Sequence, residues 1–328
     1  MAERQQRTIT INDVARAAGV SKATVSVALS NGTGPGATVR VAPETRLRIH
    51  KAAEELGYTK SGLALALSSG RTYTVGLVSQ ADTVSDDVST FNAYQKDIMI
   101  AVTCACARAG LRMTTILVST PGTTTAAEIA DGRVDGAILA TLRDDSLCED
   151  VFKRGFPAVT IGSGYAERRV WPDNRGGMAQ AVEHLVSLGH RRILYVGYPD
   201  SDVGRWTREE RRDGYRDAML ERGLTPRFHG TWAIREVFAE SPATRPTACV
   251  CFCDAIAVDV IRAARRCGLA VPTDLSIVGF DDGVMAQSAD PRLTTVQNPI
   301  DAQADHAIAL LQSLWRREPA VSPPPVPT

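Results

Sequence analysis

Apolar residues recur at helical spacing through roughly the first sixty positions, and then the period changes. Ile11, Val14, Ala15 and Ala18 fall on one helical face. Thr10 precedes them, with Asp13 three positions on, a pairing that can satisfy the free amides of a helix start. Gly19 ends that helix in a tight turn. Ser21 caps a second helix running from Lys22 to about Ser30, with Val25, Ala28 and Leu29 inward. Pro43 suits the first turn of a third, where Ile49, Ala52, Ala53 and Leu56 form an apolar stripe and Gly57 stops it. Three short helices with a glycine-containing turn between the first two describe a helix-turn-helix.

From Tyr73 onward short β-rich runs alternate with helical stretches. Residues 75–78, 112–118, 137–139, 158–161, 192–196, 248–253 and 276–280 read as strands. Residues 92–109, 176–188 and 256–267 read as helices. The alternation predicts parallel sheets covered by helices. Two series of such units predict two doubly wound lobes with a cleft between them, and in such sheets ligands sit beyond the carboxyl ends of the strands. The fold class expected is an all-α head followed by a two-lobed α/β core.

Composition changes this picture in one respect. The 328 residues are 44% apolar and 23% charged, which excludes a largely disordered chain. No apolar stretch approaches a membrane span, and the first ten residues have no apolar signal region, so a cytoplasmic protein is expected. Lys and Arg balance Asp and Glu at 37 each. That zero net charge argues against a nucleic-acid partner only until its distribution is seen. Residues 1–72 carry +5 and the remaining 256 carry −5. A basic head on an acidic body is the asymmetry of a tethered DNA reader.

Seven cysteines without a secretion signal read as free thiols. Cys249, Cys251 and Cys253 alternate, so on a strand they share a face. No C-x-x-C pair or neighbouring His accompanies them, so small buried hydrophobes are expected, with no metal and no cofactor.

The head has a more specific signature. TITINDVARAAGVSKATVSVALSNG followed by VAPETRLRIHKAAEELGY closely resembles the DNA-binding head of the lactose-repressor/galactose-repressor (LacI/GalR) family. The resemblance implies that the second helix enters the major groove, with Lys22, Ala23 and Val27 facing base edges. Lys22 can donate to guanine; Ala23 and Val27 only touch a thymine methyl or leave room. Thr10, Ser21, Thr24, Ser26 and Asn31 take phosphate or register positions. The loop GTGPGATVR at 32–40 is about five residues longer than the family's usual spacing, and Arg40 within it is placed to reach a phosphate. The hinge, 60–72, would form a helix only on DNA, where Ala64 packs against its mate and Leu67 wedges into the minor groove. The domains expected are 1–59, the helix-turn-helix; 60–72, the hinge; 73–317, the core; and 318–328, a Pro-rich tail.

The resemblance continues through VDGAIL, GFPAVTIG, DNRGGMAQAVEHLVSLGHRRILYVG, ERRDGYRDAM, RPTACVCFCD, GLAVPTDLSIVGFDD and PRLTTVQNP. It implies a periplasmic-binding-protein-like core whose lobes exchange strands near 171–174 and 296–299. Arg211 matches the family's effector-binding arginine and Asp281 a ligand-facing acid. Ala140 and Gly162 stand where sugar-binding members carry polar side chains, and Cys253 replaces an asparagine. Losing three directed hydrogen-bonding groups weakens a simple-hexose reading. Trp171, Tyr165, Tyr198 and Trp206 lie in loops near the cleft, where each is placed either to stack on a ligand or to pack in the core. The C-terminus has no heptads, so a homodimer is expected rather than a coiled-coil tetramer.

The function expected is a sequence-specific DNA-binding regulator, a repressor, whose affinity for a pseudo-palindromic operator is set by a small-molecule effector, a sugar or sugar derivative. A solute-binding protein shares the body fold but has no use for the head. Catalysis is not expected: Ser163 lacks the G-x-S-x-G spacing, and Asp281 and Asp282 are adjacent on a strand, so they point apart.

Overall fold

The structure is a computed structural model that describes residues 9–29, 41–59, 66, 69–80, 93–118, 124–142, 145–162, 168–198, 205–231, 233–318 and 322–328. Contacts divide the chain into two compact units, Met1–Tyr73 and Thr74–Thr328.

The first unit is built from α1 (Ile11–Ala18), α2 (Lys22–Leu29) and α3 (Pro43–Glu55). The Asp13 carboxylate accepts from the Thr10 backbone N–H at 2.9 Å and from its hydroxyl at 2.7 Å, closing the start of α1. Gly19 ends it at φ +63°, a left-handed position that costs a side chain more than it costs glycine. Val14, Val25, Ala28 and Ile49 are each fully buried in one small core. Two of the head's arginines are spent internally. Arg48 Nε donates to the Ala18 carbonyl at 3.0 Å and Arg46 to that of Ala28 at 3.1 Å, so cations sit where α1 and α2 present their negative ends.

The second unit holds two five-stranded parallel sheets. The first is formed by β1 (Thr74–Gln80), β2 (Arg112–Val118), β3 (Gly136–Ala140), β4 (Ala158–Ile161) and β5 (Arg169–Val170), in the order β2-β1-β3-β4-β5. Its side chains alternate between two helical layers, as the two-residue strand period requires. Leu77, Ile138 and Val159 meet α4 (Ala93–Arg108), while Val78, Leu139 and Ala158 meet α5 (Ala126–Ile129) and α6 (Asp145–Lys153). The second sheet is formed by β6 (Ile193–Gly197), β7 (Phe228–Gly230), β8 (Ala248–Cys251), β9 (Ser276–Asp281) and β10 (Thr294–Gln297), in the order β10-β9-β8-β6-β7. One face packs on α7 (Asn174–Ser187) and α8 (Arg205–Glu221), the other on α9 (Ile234–Phe238) and α10 (Asp254–Arg266). The short α11 (Val284–Ser288) follows β9.

The last helix, α12 (Ile300–Trp315), returns to the first lobe and buries Ala304, Ala307, Ile308 and Leu311 beneath α4 and the first sheet. The chain therefore crosses between lobes after β5 and after β10. The C-terminal residues form a third connection that the sequence, read as a Pro-rich tail, did not disclose. Val326 is buried in the first lobe's core, its N–H donates to Trp171 O and its carbonyl accepts from Asp173 N–H, both at 2.8 Å.

Cys249 and Cys251 point to one face of β8, as their alternation predicts. Cys253 lies beyond the strand, at the cap of α10, yet joins the same apolar cluster. Asp254, which opens α10, is 3% exposed. Its carboxylate accepts from the Gly283 N–H at 2.9 Å and from the Thr295 hydroxyl at 2.5 Å, fastening the β9–α11 loop and β10 to α10. Burial nevertheless pushes its carboxyl up from 3.8 to about 6. The folded state thus holds this proton more tightly than the unfolded chain. The stabilisation is complete below the unfolded value and is lost as pH rises through about 6. Denaturant unfolding of the full chain should show stability falling by roughly 1–3 kcal/mol between pH 4.5 and 7.5 through this group. Asp254→Asn should flatten that part of the slope; an unchanged slope would remove Asp254 as its cause.

Candidate functional site

The head presents α2 outward. Ser21, Lys22, Ala23 and Ser26 are exposed, and Thr24 and Val27 half-buried, while Val25 and Ala28 hold the helix to the core. The helix start is fixed by the Ser21 hydroxyl, which accepts from the Thr24 N–H at 3.2 Å and lies 2.8 Å from the Thr24 hydroxyl. These two residues thus set the pitch of the face as well as lying on it. Lys22 makes no ion pair among the described residues and stands beside these hydroxyls. Thr10 is exposed at the start of α1. Asn31, Arg40, Ala64 and Leu67 lie outside the described residues. In the hinge, Gly70 N–H donates to the Ala66 carbonyl at 2.8 Å, one helical turn.

In the second unit the carboxyl ends of the two sheets meet. Arg211, on α8, is 3% exposed. Its Nε donates to Asn174 Oδ1 at 2.9 Å, one terminal nitrogen to the Phe252 carbonyl at 2.6 Å and the other to Asp281 at 3.3 Å. The guanidinium carbon also lies 3.6 Å from the centre of the Phe280 ring and 4.8 Å from that of Phe252. A guanidinium has five N–H donors, so two remain for a ligand. Asp281 ends β9 at φ +119° and accepts from Asn298 Nδ2 at 3.2 Å as well as from Arg211. Burial raises its carboxyl above the ordinary value, while Arg211 and the Asn298 hydrogen bond oppose that rise.

The network continues into the first lobe. Asn298 accepts from Gln303 on α12 at 2.7 Å and bonds the Tyr94 hydroxyl on α4. Burial, and next the negative Asp281, push that phenol up to about 12, so it stays protonated. In the other direction Asn174 donates to Glu210 at 3.3 Å. A single polar string thus runs from the first lobe through one crossover (Asn298), across Asp281 and Arg211, to the other crossover (Asn174). Thr207 adds a direct tie, its hydroxyl donating to the Gly162 carbonyl at 3.1 Å.

The predicted ligand residues divide into two groups. Arg211 and Asp281 are paired at the centre of the string. Trp171 follows β5 and meets Trp206 of α8 edge-on, ring centres 6.1 Å apart. Ala140, which ends β3, is 1% exposed and belongs to the first lobe's core. Cys253 is 8% exposed, and its thiol lies 3.9 Å from the Tyr198 hydroxyl. Burial raises that thiol to about 11, so it is inert at neutral pH. Gly162, at φ +68°, has its side-chain space filled from elsewhere: a Cβ there would sit 3.1 Å from the Tyr94 hydroxyl. Tyr94, Asn174, Asn298, Gln303 and Glu210 escaped sequence reading. Their polarity looks ordinary in a helix or crossover, and no sequence signal set them apart.

A cavity of about 600 Å³ opens elsewhere, at the ends of β1 and β2 beside α5 and α6, lined by Gln80, Val118, Thr125, Leu142, Leu147 and Arg154 among others. None of the predicted ligand residues reaches it. Among the described residues no cluster of His, Cys, Asp or Glu is placed to hold a metal, and no helix is long and apolar enough to cross a membrane.

Residues 10–61 match the family described as bacterial regulatory proteins, lacI family, and residues 182–328 match the periplasmic binding protein-like domain. The HTH-type transcriptional regulator CelR of Thermobifida fusca is 31% identical over 330 residues, covering 94% of this chain and 92% of that one. Among solved structures, a CelR–cellobiose complex superposes with a TM-score of 0.65 at 27% identity, covering 97% and 96% of the two chains. The lac repressor dimer bound to operator and an anti-inducer shares the fold, with a TM-score of 0.78 at 22% identity and coverage of 98% and 97%. With a helix-turn-helix head and a two-lobed core in the family's order, the chain belongs to the LacI family of transcriptional regulators.

Proposed function

We propose that this LacI-family regulator acts in the cytoplasm as a homodimeric repressor, two copies of α2 reading a pseudo-palindromic operator through Lys22, Ala23 and Val27. Thr10, Ser21, Thr24, Ser26, Asn31 and Arg40 contact the backbone, while Ala64 and Leu67 act at the hinge. A small-molecule effector, a sugar or sugar derivative, binds between the lobes at Arg211, Asp281 and Trp171, in a space shaped by Ala140, Gly162 and Cys253. The protein binds this molecule without transforming it.

The observation that carries the effector reading is the buried string through Arg211 and Asp281. It touches both lobes and two crossovers, so a molecule engaging the two spare donors of Arg211 couples to the relative position of the lobes. A ligand shifts such an equilibrium only by its differential affinity for the two arrangements, and the effect is reciprocal with DNA. The CelR complex contains cellobiose. In this chain the polar groups lost at 140, 162 and 253 argue for a ligand recognised differently from a plain hexose.

In vitro selection of bound DNA followed by titration against salt tests the head. Affinity should fall linearly on a log–log plot as salt rises. Lys22→Ala should cost about 1–3 kcal/mol at sites with guanine opposite it and relax selection there. A uniform loss on every sequence would reassign Lys22 to the phosphates. For the core, Arg211→Met leaves Asp281 buried without its cation and should lower stability by roughly 3–5 kcal/mol. The double variant Arg211→Met/Asp281→Asn should recover part of that loss while still failing to respond to effector on operator DNA. Retained effector response in the double variant would move the ligand site away from this pair.

A further inference from the structure

We propose that Arg169 is a receptor for an oxyanion, a carboxylate or phosphate group carried by the effector; this rests on reading the meeting strand ends as the effector site. Arg169 opens β5, and its backbone N–H is fixed by the Ser322 hydroxyl at 2.9 Å. Its side chain runs into a corner made by two indoles. The guanidinium carbon lies 3.8 Å from the centre of the Trp171 ring and 4.3 Å from that of Trp206, and the two rings stand at 83° to each other. Trp171 belongs to the crossover after β5, whereas Trp206 lies in the first turn of α8, so both lobes build the corner.

Aromatic walls hold a cation in place and strip its water, but they offer no acceptor for its N–H groups. No hydrogen bond from this guanidinium to protein is formed among the described residues, and Nε is buried without a partner. Three ion-paired arginines of this unit differ. Arg175 reaches Asp213 and Asp217, Arg227 reaches Glu240, and Arg211 spends three donors internally. Glu210 acts on Arg169 only through space, because its carboxylate accepts from Asn174, and burial raises that carboxyl above its ordinary value. A buried donor left unmet is costly, so an orphan of this kind calls for a partner. A planar, desolvated fork with a fixed orientation suits a carboxylate or phosphate, which it can grip through two parallel bonds.

Position ties the corner to the effector site. Trp206 adjoins Thr207, which bonds the Gly162 carbonyl, and Glu210 joins Arg169 to Asn174 and so to Arg211. An oxyanion on Arg169 therefore belongs to a molecule whose remainder reaches the polar string. It also lies against groups from both lobes.

The test is thermal unfolding of the full chain at constant ionic strength. Glucuronate and glucose 6-phosphate serve as anionic probes, distinguishing carboxylate from phosphate, with glucose and cellobiose as neutral counterparts. At least one anionic probe should give a saturable stabilisation that glucose does not. Arg169→Gln should weaken that binding by about tenfold or more. Arg169→Lys keeps the charge and the indole contact but not the fork, so a stably folded Lys variant with weakened anion binding separates recognition from stability. Binding should change tryptophan emission, and that change should shrink in Trp206→Phe and vanish in Trp171→Phe/Trp206→Phe. Failure of both anionic probes on the wild-type chain, or anion binding unaltered by Arg169→Gln, overturns the proposal. Cellobiose binding that survives Arg169→Gln while both anions fail would also overturn it, yet leave the effector site standing.

Discussion

The core is organised around one buried charge pair. Arg211 and Asp281 lie at the junction of the lobes, their side chains 4% and 18% exposed. Such a pair is expensive to bury and survives only when its remaining hydrogen-bonding capacity is met. Here Asn174, the Phe252 carbonyl and Asn298 meet it, and each comes from a segment whose placement defines the fold. Asn174 opens α7 at one crossover, Asn298 lies in the other, and Phe252 follows β8. The pair thus adds little to stability by attraction alone, but it penalises any arrangement of strand ends and crossovers that would leave it unpaired. Specificity of lobe placement, rather than strength, is what its geometry supplies.

The head solves a different electrostatic problem. Its excess of positive charge was read from the sequence as a footprint for phosphates, and that reading holds only for part of it. Arg46 and Arg48 close the carboxyl ends of α2 and α1, so part of the basic surplus serves helix ends. Lys22 stands on the exposed face without an ion pair among the described residues. Counting charges could not separate the two uses, since both need only an arginine or lysine at helical spacing.

Much of the architecture was legible. The strands at 112–118 and 158–161 coincide with their observed bounds, and the caps at Thr10, Ser21 and Gly19 act as their residue types dictate. Local patterns suffice there because the physics is local. The third crossover was not legible, because a Pro-rich stretch looks solvated until Val326 is seen buried and bridged to Pro172 in the crossover after β5. A motif singled out Arg211, which the structure places buried and paired with Asp281. Placements that arise from packing between distant segments were hidden, as with Tyr94 over Gly162 and Arg169 between two tryptophans.

That contact between Tyr94 and Gly162 makes the two positions one unit of shape. The hydroxyl that a strand-borne side chain would present at 162 is instead presented by a helix, α4, which lies on the first lobe's outer layer and packs on α12. A side chain at 162 would meet the Tyr94 hydroxyl at 3.1 Å and be held at a left-handed φ of +68°, so the backbone and the phenol together favour glycine there. The polar atom at this wall is thereby carried by the helical layer that packs on α12 rather than by the strand end, so the wall's position is tied to the packing of α4 on α12.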